Sequence, residues 1–408
     1  MYEDRRPEQR ARGAISTKTA VFLMFVVGIS VAICTWAIMY SINASKTVVN
    51  ENRFSKLIEA AEIMEENYVT DVDIDNMMDA AVNAMVESLG DRWSYYVSVE
   101  ELESYESNVN NNYVGVGVTV ERTTDKGLLV ISVAEGGGAE EAGITAGSYI
   151  TAADGQSIIG YELSDATALI KGAEGTTVVL TVRDEAGRTQ ELTVERRTIE
   201  VDPVSAQFIG DIGYVTLENF NASSAESFNE KVDALIEQGA KGLIFDVRFN
   251  GGGRVSELCD MLDHLLPECT IFVTDDKYGN RDVMESDAEC IEQLPCVVLV
   301  NEDSYSAAEY FAAVQQEYGT AEVVGVQTSG KGYSQAPISL SDGSVISLST
   351  RTYYTPSGIS LEGVGISPDH VVDLTDEQYQ QLYYGELAIE DDPQLQYALE
   401  LLNDEIAG

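Results

Sequence analysis

From Ile212 to about Leu374, short apolar runs alternate with amphipathic stretches in the order that βαβ units require. IGYVTLENF reads as a strand, and SSAESFNEKVDALIEQG as a helix opened by a Ser-x-x-Glu capping box. GLIFDVRF is a buried strand, and Gly251-Gly252-Gly253 opens the next helix. IFVTD, VVLVN and AEVVGV are further short strands between helical stretches, and SVISLSTRTYYTP adds a polar-alternating strand near the edge. This pattern makes residues 199–375 an α/β core. The tail, 376–408, is acidic and helical, with Asp392-Pro393 opening QLQYALELL.

Upstream the texture differs. Residues 46–110 form a helical module, since FSKLIEAAEIMEENY and MMDAAVNAMVESL carry apolar residues at three- and four-residue spacing. Residues 111–198 are β-rich, with turn signals at Asp125-Lys126-Gly127, Asp154-Gly155 and Glu185-Ala186-Gly187. At the other end, Thr19–Ser45 carries no charge, and the stretch before it is net basic. Its apolar centre, Val21–Tyr40, is long enough at ~1.5 Å per residue to cross a ~30 Å hydrocarbon core. A cleaved signal peptide is the alternative, although its apolar region is usually only about 7–15 residues. The expectation is a transmembrane anchor over 19–43, a cytoplasmic tail over 1–18, and everything else extracytoplasmic in a single-pass cell-membrane protein.

The net charge of -45 excludes nucleic-acid binding, which needs clustered Lys and Arg. Two His rule out a His-rich metal site, and no CxxC pair suggests zinc, so no metal or cofactor is expected. Cys259, Cys269, Cys290 and Cys296 allow three complete disulfide pairings, or none if they are buried thiols.

The β-rich unit resembles a PDZ domain. Tyr113-Val114-Gly115-Val116-Gly117 matches the carboxylate-binding loop, and GGGAEEAGITAGSYITAADGQSI matches the central stretch. Glycines there let successive backbone N–H groups converge on an anion, which suits the C-terminal carboxylate of a peptide added as an extra strand.

Two short stretches of the core carry chemistry. In NEDSYSAAE a strand ends at Asn301 and a helix begins near Ser306. Ser306-Ala307-Ala308-Glu309 is a capping box, and most such serines are only caps. The helix start nevertheless offers free N–H groups and a positive dipole end, which help stabilise an oxyanion. In TSGKGYSQ, Lys331 lies between two glycines after a buried strand. A Ser needs a base to become a nucleophile, and a Lys serves if desolvation populates the neutral amine. A phosphate-loop Lys is excluded because Gly332, not Ser or Thr, follows it.

Together these residues resemble the C-terminal processing peptidases (tail-specific proteases), membrane-anchored Ser/Lys enzymes. DRWSYY is similar to the family's DPHSxYL, DVRFNGGG to DLRxNPGG, NEDSYSAAE to NxxSASASE, and TSGKGYSQ to TFGKGxxQ. LSDGSVISLSTRTYYTPSGISLEGVGISPDHVV matches the closing block almost throughout. The resemblance implies Ser306 as nucleophile, Lys331 as general base, Gln335 as the residue holding the Lys amine, and the amides of Gly252 and Ala307 as the oxyanion hole. Departures are Gly251 for the family's Pro, Phe249 for Asn, Arg254-Val255 for an apolar pair and Ala308 for a Ser. Arg254 is expected to alter the substrate groove. His264 and His370 are rival bases, but His264 sits on an apolar helix face and the family pattern does not require His370.

The fold class is therefore multidomain α/β: a transmembrane helix, a helical module, a PDZ domain, an α/β Ser/Lys protease core and a helical tail. The function implied is a serine endopeptidase whose PDZ domain captures protein C-termini and whose core cleaves the chain through an acyl-enzyme. Protein or peptide substrates, the membrane and a homodimer built by the helical module and tail are the partners this reading implies. The alternatives are a membrane-tethered PDZ adaptor with an inactive core, and a small-ester hydrolase that leaves the PDZ domain without purpose.

Overall fold

The computed structural model describes residues 54–184 and 186–407. The chain divides into two compact units, Met1–Val82 and Asn83–Gly408. The described part of the first holds a helix over 54–67 and the beginning of helix Ile74–Glu87. Among the described residues no helix is long and apolar enough to cross a membrane. This corrects the fold class and localisation expected above: the described residues supply no membrane-spanning helix, and the stretch 19–43 lies outside them.

The second unit contains two separate apolar cores joined by short connections. The first belongs to a sheet ordered Val118–Thr123, Gly127–Val133, Tyr149–Ala153, Thr177–Arg183, Thr189–Glu195, with Gln156–Ser157 pairing to the third strand. Val116, Leu128, Val130, Ile150, Leu180 and Val194 fill its interior under helix Leu163–Ile170. A short ladder between Asn112–Gly115 and Arg197–Glu200 closes its base.

The larger core is a six-stranded sheet in the order Val204–Ile209, Ile212–Leu217, Gly242–Asp246, Cys296–Val300, Glu322–Gly325, His370–Val371. All its pairs after the first hairpin are parallel. Its central strands are apolar on both faces, as parallel strands covered on both sides must be. Phe245, Val298 and Val323 face helices Ser224–Glu237, Val255–Leu265 and Ala307–Tyr318. Their neighbours Ile244, Val297 and Val324 face the terminal helix Pro393–Ala407, against Leu395, Ala398 and Leu402. The acidic tail is thus a layer of the core. Arg248, almost wholly buried, fastens it by bonding both Asp246 (2.6 Å) and Asp392 (2.8 Å).

Three sequence readings change here. IFVTD does not join the parallel sheet. Strand Thr270–Asp276 turns at Gly279 and pairs back on Arg281–Glu285, in a second, antiparallel sheet. Val345–Tyr354 is no edge strand but the centre of that sheet, pairing with Tyr333–Ser339, Thr270–Asp276 and the three-residue strand Tyr95–Val97. The capping box at Ser223 is absent: Ser223 has φ 66° and no side-chain cap, and the Glu257 carboxylate accepts from Ala225 N (3.0 Å) instead. Among the described residues Cys259, Cys269, Cys290 and Cys296 are free thiols.

Candidate active site

Three neighbouring parallel strands, Gly242–Asp246, Cys296–Val300 and Glu322–Gly325, end on one side of the sheet. The loops leaving those carboxyl ends carry Gly252, Ser306 and Lys331, the position where open α/β sheets build their sites. The loops are stitched together. Tyr305 N donates to Asn250 O (3.1 Å), Ser304 Oγ to Val247 O (2.7 Å), and Ser329 Oγ to Glu302 O (2.7 Å). Gly325 lets two of the strands meet, because a Cβ there would lie 1.9 Å from Val300 O.

Ser306 sits at the start of helix Ala307–Tyr318 with φ 62° and ψ -122°. A non-glycine residue in such a conformation costs of order 1–3 kcal/mol and persists only where its surroundings hold it. Here the holding group is Glu309. Its carboxylate is fully buried and accepts from Ser306 N (3.0 Å), Gly330 N (2.6 Å), Lys331 N (2.9 Å) and Thr328 Oγ1. Burial pushes the Glu309 carboxyl upward, and these four donors work against that shift. The sequence offered Glu309 only as a helix cap. The available signal was its place in AAEYFAAV, a helix apolar on all sides, where a carboxylate must be buried and therefore bonded.

Lys331 points its amine at aromatic faces, 4.9 Å from the Trp93 centroid and 5.8 Å from that of Tyr305. Burial pulls its pKa down to about 8, partly opposed by Asp91, Glu309 and Glu362 and assisted by Arg92. Tyr353, buried on the central strand of the second sheet, donates to Lys331 O and also touches Ser306. Ser306, Ala307, Lys331, Gln335, Gly252 and Arg254 all line one cavity of about 990 Å³.

Two expected contacts differ. Gln335 donates to Tyr333 O (3.0 Å) and Ser349 Oγ (2.9 Å), and among the described residues no hydrogen bond joins it to Lys331. The Gly252 N–H donates to Asn250 Oδ1 (2.8 Å) rather than facing the cavity. Gly252 does lie directly under Ser306: a Cβ on it would come 2.8 Å from both Ala307 N and Ser306 Cβ. The Ala307 N–H is one of the four that a helix start leaves unpaired within the helix. Arg254 reaches across the cavity mouth to Val109 O (2.8 Å) and Asn110 Oδ1 (2.7 Å). The two histidines lie elsewhere, His264 on Asp233 (3.0 Å) and His370 between Glu322 and Tyr397, and neither lines the cavity.

A second, smaller cavity of about 80 Å³ lies in the first core. Tyr113, Val114, Gly115, Val116 and Gly117 form one wall, and Thr167, Ile170 and Lys171 of the helix form the other. The Val116 and Gly117 carbonyls accept from Ala139 N (2.8 Å) and Ala134 N (2.9 Å).

Comparison with known proteins decides the class. Residues 211–372 match peptidase family S41, 129–184 match the PDZ domain, and 36–101 match the N-terminal domain of the activating protease CtpB. The carboxy-terminal processing protease CtpA of Bacillus subtilis is 32% identical over 82% of this chain and 72% of the relative. The chain belongs to peptidase family S41. It is a serine-type, C-terminal processing peptidase with a PDZ domain, and its substrates are proteins. The carboxy-terminal-processing protease of Bartonella bacilliformis is 30% identical over 86% of this chain and 82% of the relative. A solved S41 protease structure from Bacteroides fragilis shares the fold, with TM-score 0.51 and 16% identity over 85% of this chain and 97% of that one.

Proposed function

We propose that Ser306 is the nucleophile of this peptidase and Lys331 its general base. The observation that carries the reading is the convergence of both residues in one cavity, from adjacent strand ends, with the Lys331 amine buried rather than solvated. As the Ser306 Oγ–C bond forms, the hydroxyl proton passes to the neutral Lys331 amine, which then delivers it to the departing amine of the cleaved chain. Water attacks the acyl-enzyme in the second half, its proton going to Lys331 and then back to Ser306 Oγ. The Ala307 N–H, together with a glycine-run amide released from Asn250, receives the oxyanion. Gln335 is a positioning residue that holds the neighbouring strands. The loop Tyr113–Gly117 receives the free C-terminus of the substrate, the remaining chain lying along Val118–Thr123.

The test is degradation of a reduced, alkylated protein by the full chain. Ser306→Ala and Lys331→Ala are each expected to lose about 10⁴-fold or more in kcat. Amidating the C-terminus of the substrate is expected to raise KM and leave kcat in place. Turnover unchanged in both variants would sink the assignment, and equal KM for free and amidated tails would remove the role given to the PDZ loop.

A further inference from the structure

The segment just before strand Tyr95–Val97 is distant in sequence from the Ser306 and Lys331 loops, yet it lies against them. The Asp91 carboxylate accepts from Trp93 N (3.0 Å) and Ser94 Oγ (2.6 Å), closing a tight turn. Ser94 Oγ in turn accepts from Ser349 N (2.9 Å), which pins the turn to the central strand of the second sheet. Arg92 Nη2 donates to Ser329 O (3.1 Å), two residues before Lys331. The turn therefore has one fixed placement, and it presents the Trp93 ring. That ring meets the Lys331 amine at 4.9 Å, the Tyr305 ring at 5.6 Å and the Arg92 guanidinium at 4.1 Å.

We propose that Trp93 is a positioning residue for the base: its ring face holds the Lys331 amine and sets how readily that amine takes a proton. The proposal rests on Lys331 being the base. Among the described residues the Lys331 amine forms no ion pair, so no carboxylate holds it permanently as an ammonium. The groups facing it are Asp91 and Arg92 from the turn, Glu309 from the Ser306 helix, Glu362 from the loop beyond the second sheet, and the ring of Tyr305, while the Tyr353 hydroxyl bonds the Lys331 backbone carbonyl instead. Glu309 is already engaged by its four donors. An aromatic face attracts the ammonium without offering a site that competes for the proton. This suits an amine that must alternate between neutral and charged within each turnover.

The indole N–H points the same way. Among the described residues Trp93 Nε1 is buried with no hydrogen-bond partner, a cost that no polar contact there offsets. What the site uses is the ring, not its polar edge. Phe at this position keeps a weaker π face and removes the orphaned donor, so its folding and its electrostatic effects separate cleanly.

The experiment is the pH dependence of kcat/KM for the full chain on a peptide substrate, with thermal midpoints measured alongside. The wild-type protein is expected to show a rising limb near pH 8. Removing ring stabilisation favours the neutral amine, so Trp93→Phe is expected to move the limb about half a pH unit lower, and Trp93→Leu about one unit lower. Trp93→Ala admits water and is expected to move the limb upward instead. A limb at the wild-type position in both the Phe and Leu variants, with only amplitude or thermal midpoint altered, would leave Trp93 a merely structural residue and overturn the proposal. A wild-type protein with no limb between about pH 7 and 9 overturns it too, but the fault then lies in the Lys331 assignment on which it rests.

Discussion

The two halves of the large cavity are built on opposite plans. The lysine half is made of side chains from distant parts of the sequence: Trp93, Tyr305, Glu309 and Tyr353 surround Lys331 and fix its electrostatic surroundings. The glycine half, Gly251–Gly253, is backbone alone, and a Cβ at Gly252 has no room. A base needs a tuned pKa, which only surrounding charges, rings and burial supply. An oxyanion hole needs N–H groups in one place, which only loop conformation supplies. The first half is over-determined in this structure. The second turns its Gly252 amide to Asn250 and hence depends on a local rearrangement.

Breaking the lysine half should have the larger effect on the fold. Glu309→Ala leaves four donors, two of them fully buried, without their acceptor and frees the strained Ser306 backbone. A buried charged partner removed in this way costs roughly 3–5 kcal/mol. For a chain of this size the thermal midpoint is expected to fall by about 5 °C, with activity lost in parallel. A calorimetric midpoint within a degree or two of wild type would show that the four bonds do not organise the site.

Breaking the glycine half should spare the fold and strike the rate. Gly252→Ala places a Cβ 2.8 Å from Ala307 N at a φ of 83°, which alanine adopts only at a cost. The loop is expected to shift, with kcat falling about 100-fold, the loss typical of one oxyanion donor. Stopped-flow acylation measurements would separate this from binding. A variant that acylates at the wild-type rate would show that Gly252 has no part in the oxyanion site.

The same contrast explains what could be read without the structure. Gly252, Ser306 and Lys331 each carry a local signature: a glycine run after a buried strand, a serine at a helix start, and a lysine between glycines. Their strand-end placement follows from the alternation of elements. The surroundings of Lys331 were not legible, because no local pattern says that Trp93, in a turn before the PDZ domain, lies on a lysine more than two hundred residues later. The second sheet was misjudged for a related reason. Arg281–Glu285 is exposed along its whole length and shows no apolar alternation, so Thr270–Asp276 read as one more strand of the parallel sheet. The tail was recognised as helical, but its role as a core layer depends on which apolar stripe the sheet needed covered.

The smallest expected effect sharpens the boundary of the lysine half. Gln335 lines the cavity, yet its amide donates to Tyr333 O and Ser349 Oγ and not to the Lys331 amine. Ser349 belongs to the central strand of the second sheet, whose N–H also fastens the Trp93 turn through Ser94. Gln335 therefore acts on Lys331 through the strand pair that carries the turn, and its removal loosens placement without changing the charges that face the amine. Gln335→Ala is expected to lower kcat by about tenfold or less, because a neutral hydrogen bond of this kind contributes roughly 0.5–1.5 kcal/mol. The rising limb of the pH profile should stay where the wild-type protein has it, in contrast to the Trp93 variants. If that limb moves by half a unit or more, Gln335 bears on the amine directly, and the lysine half extends one strand further than its hydrogen bonds indicate.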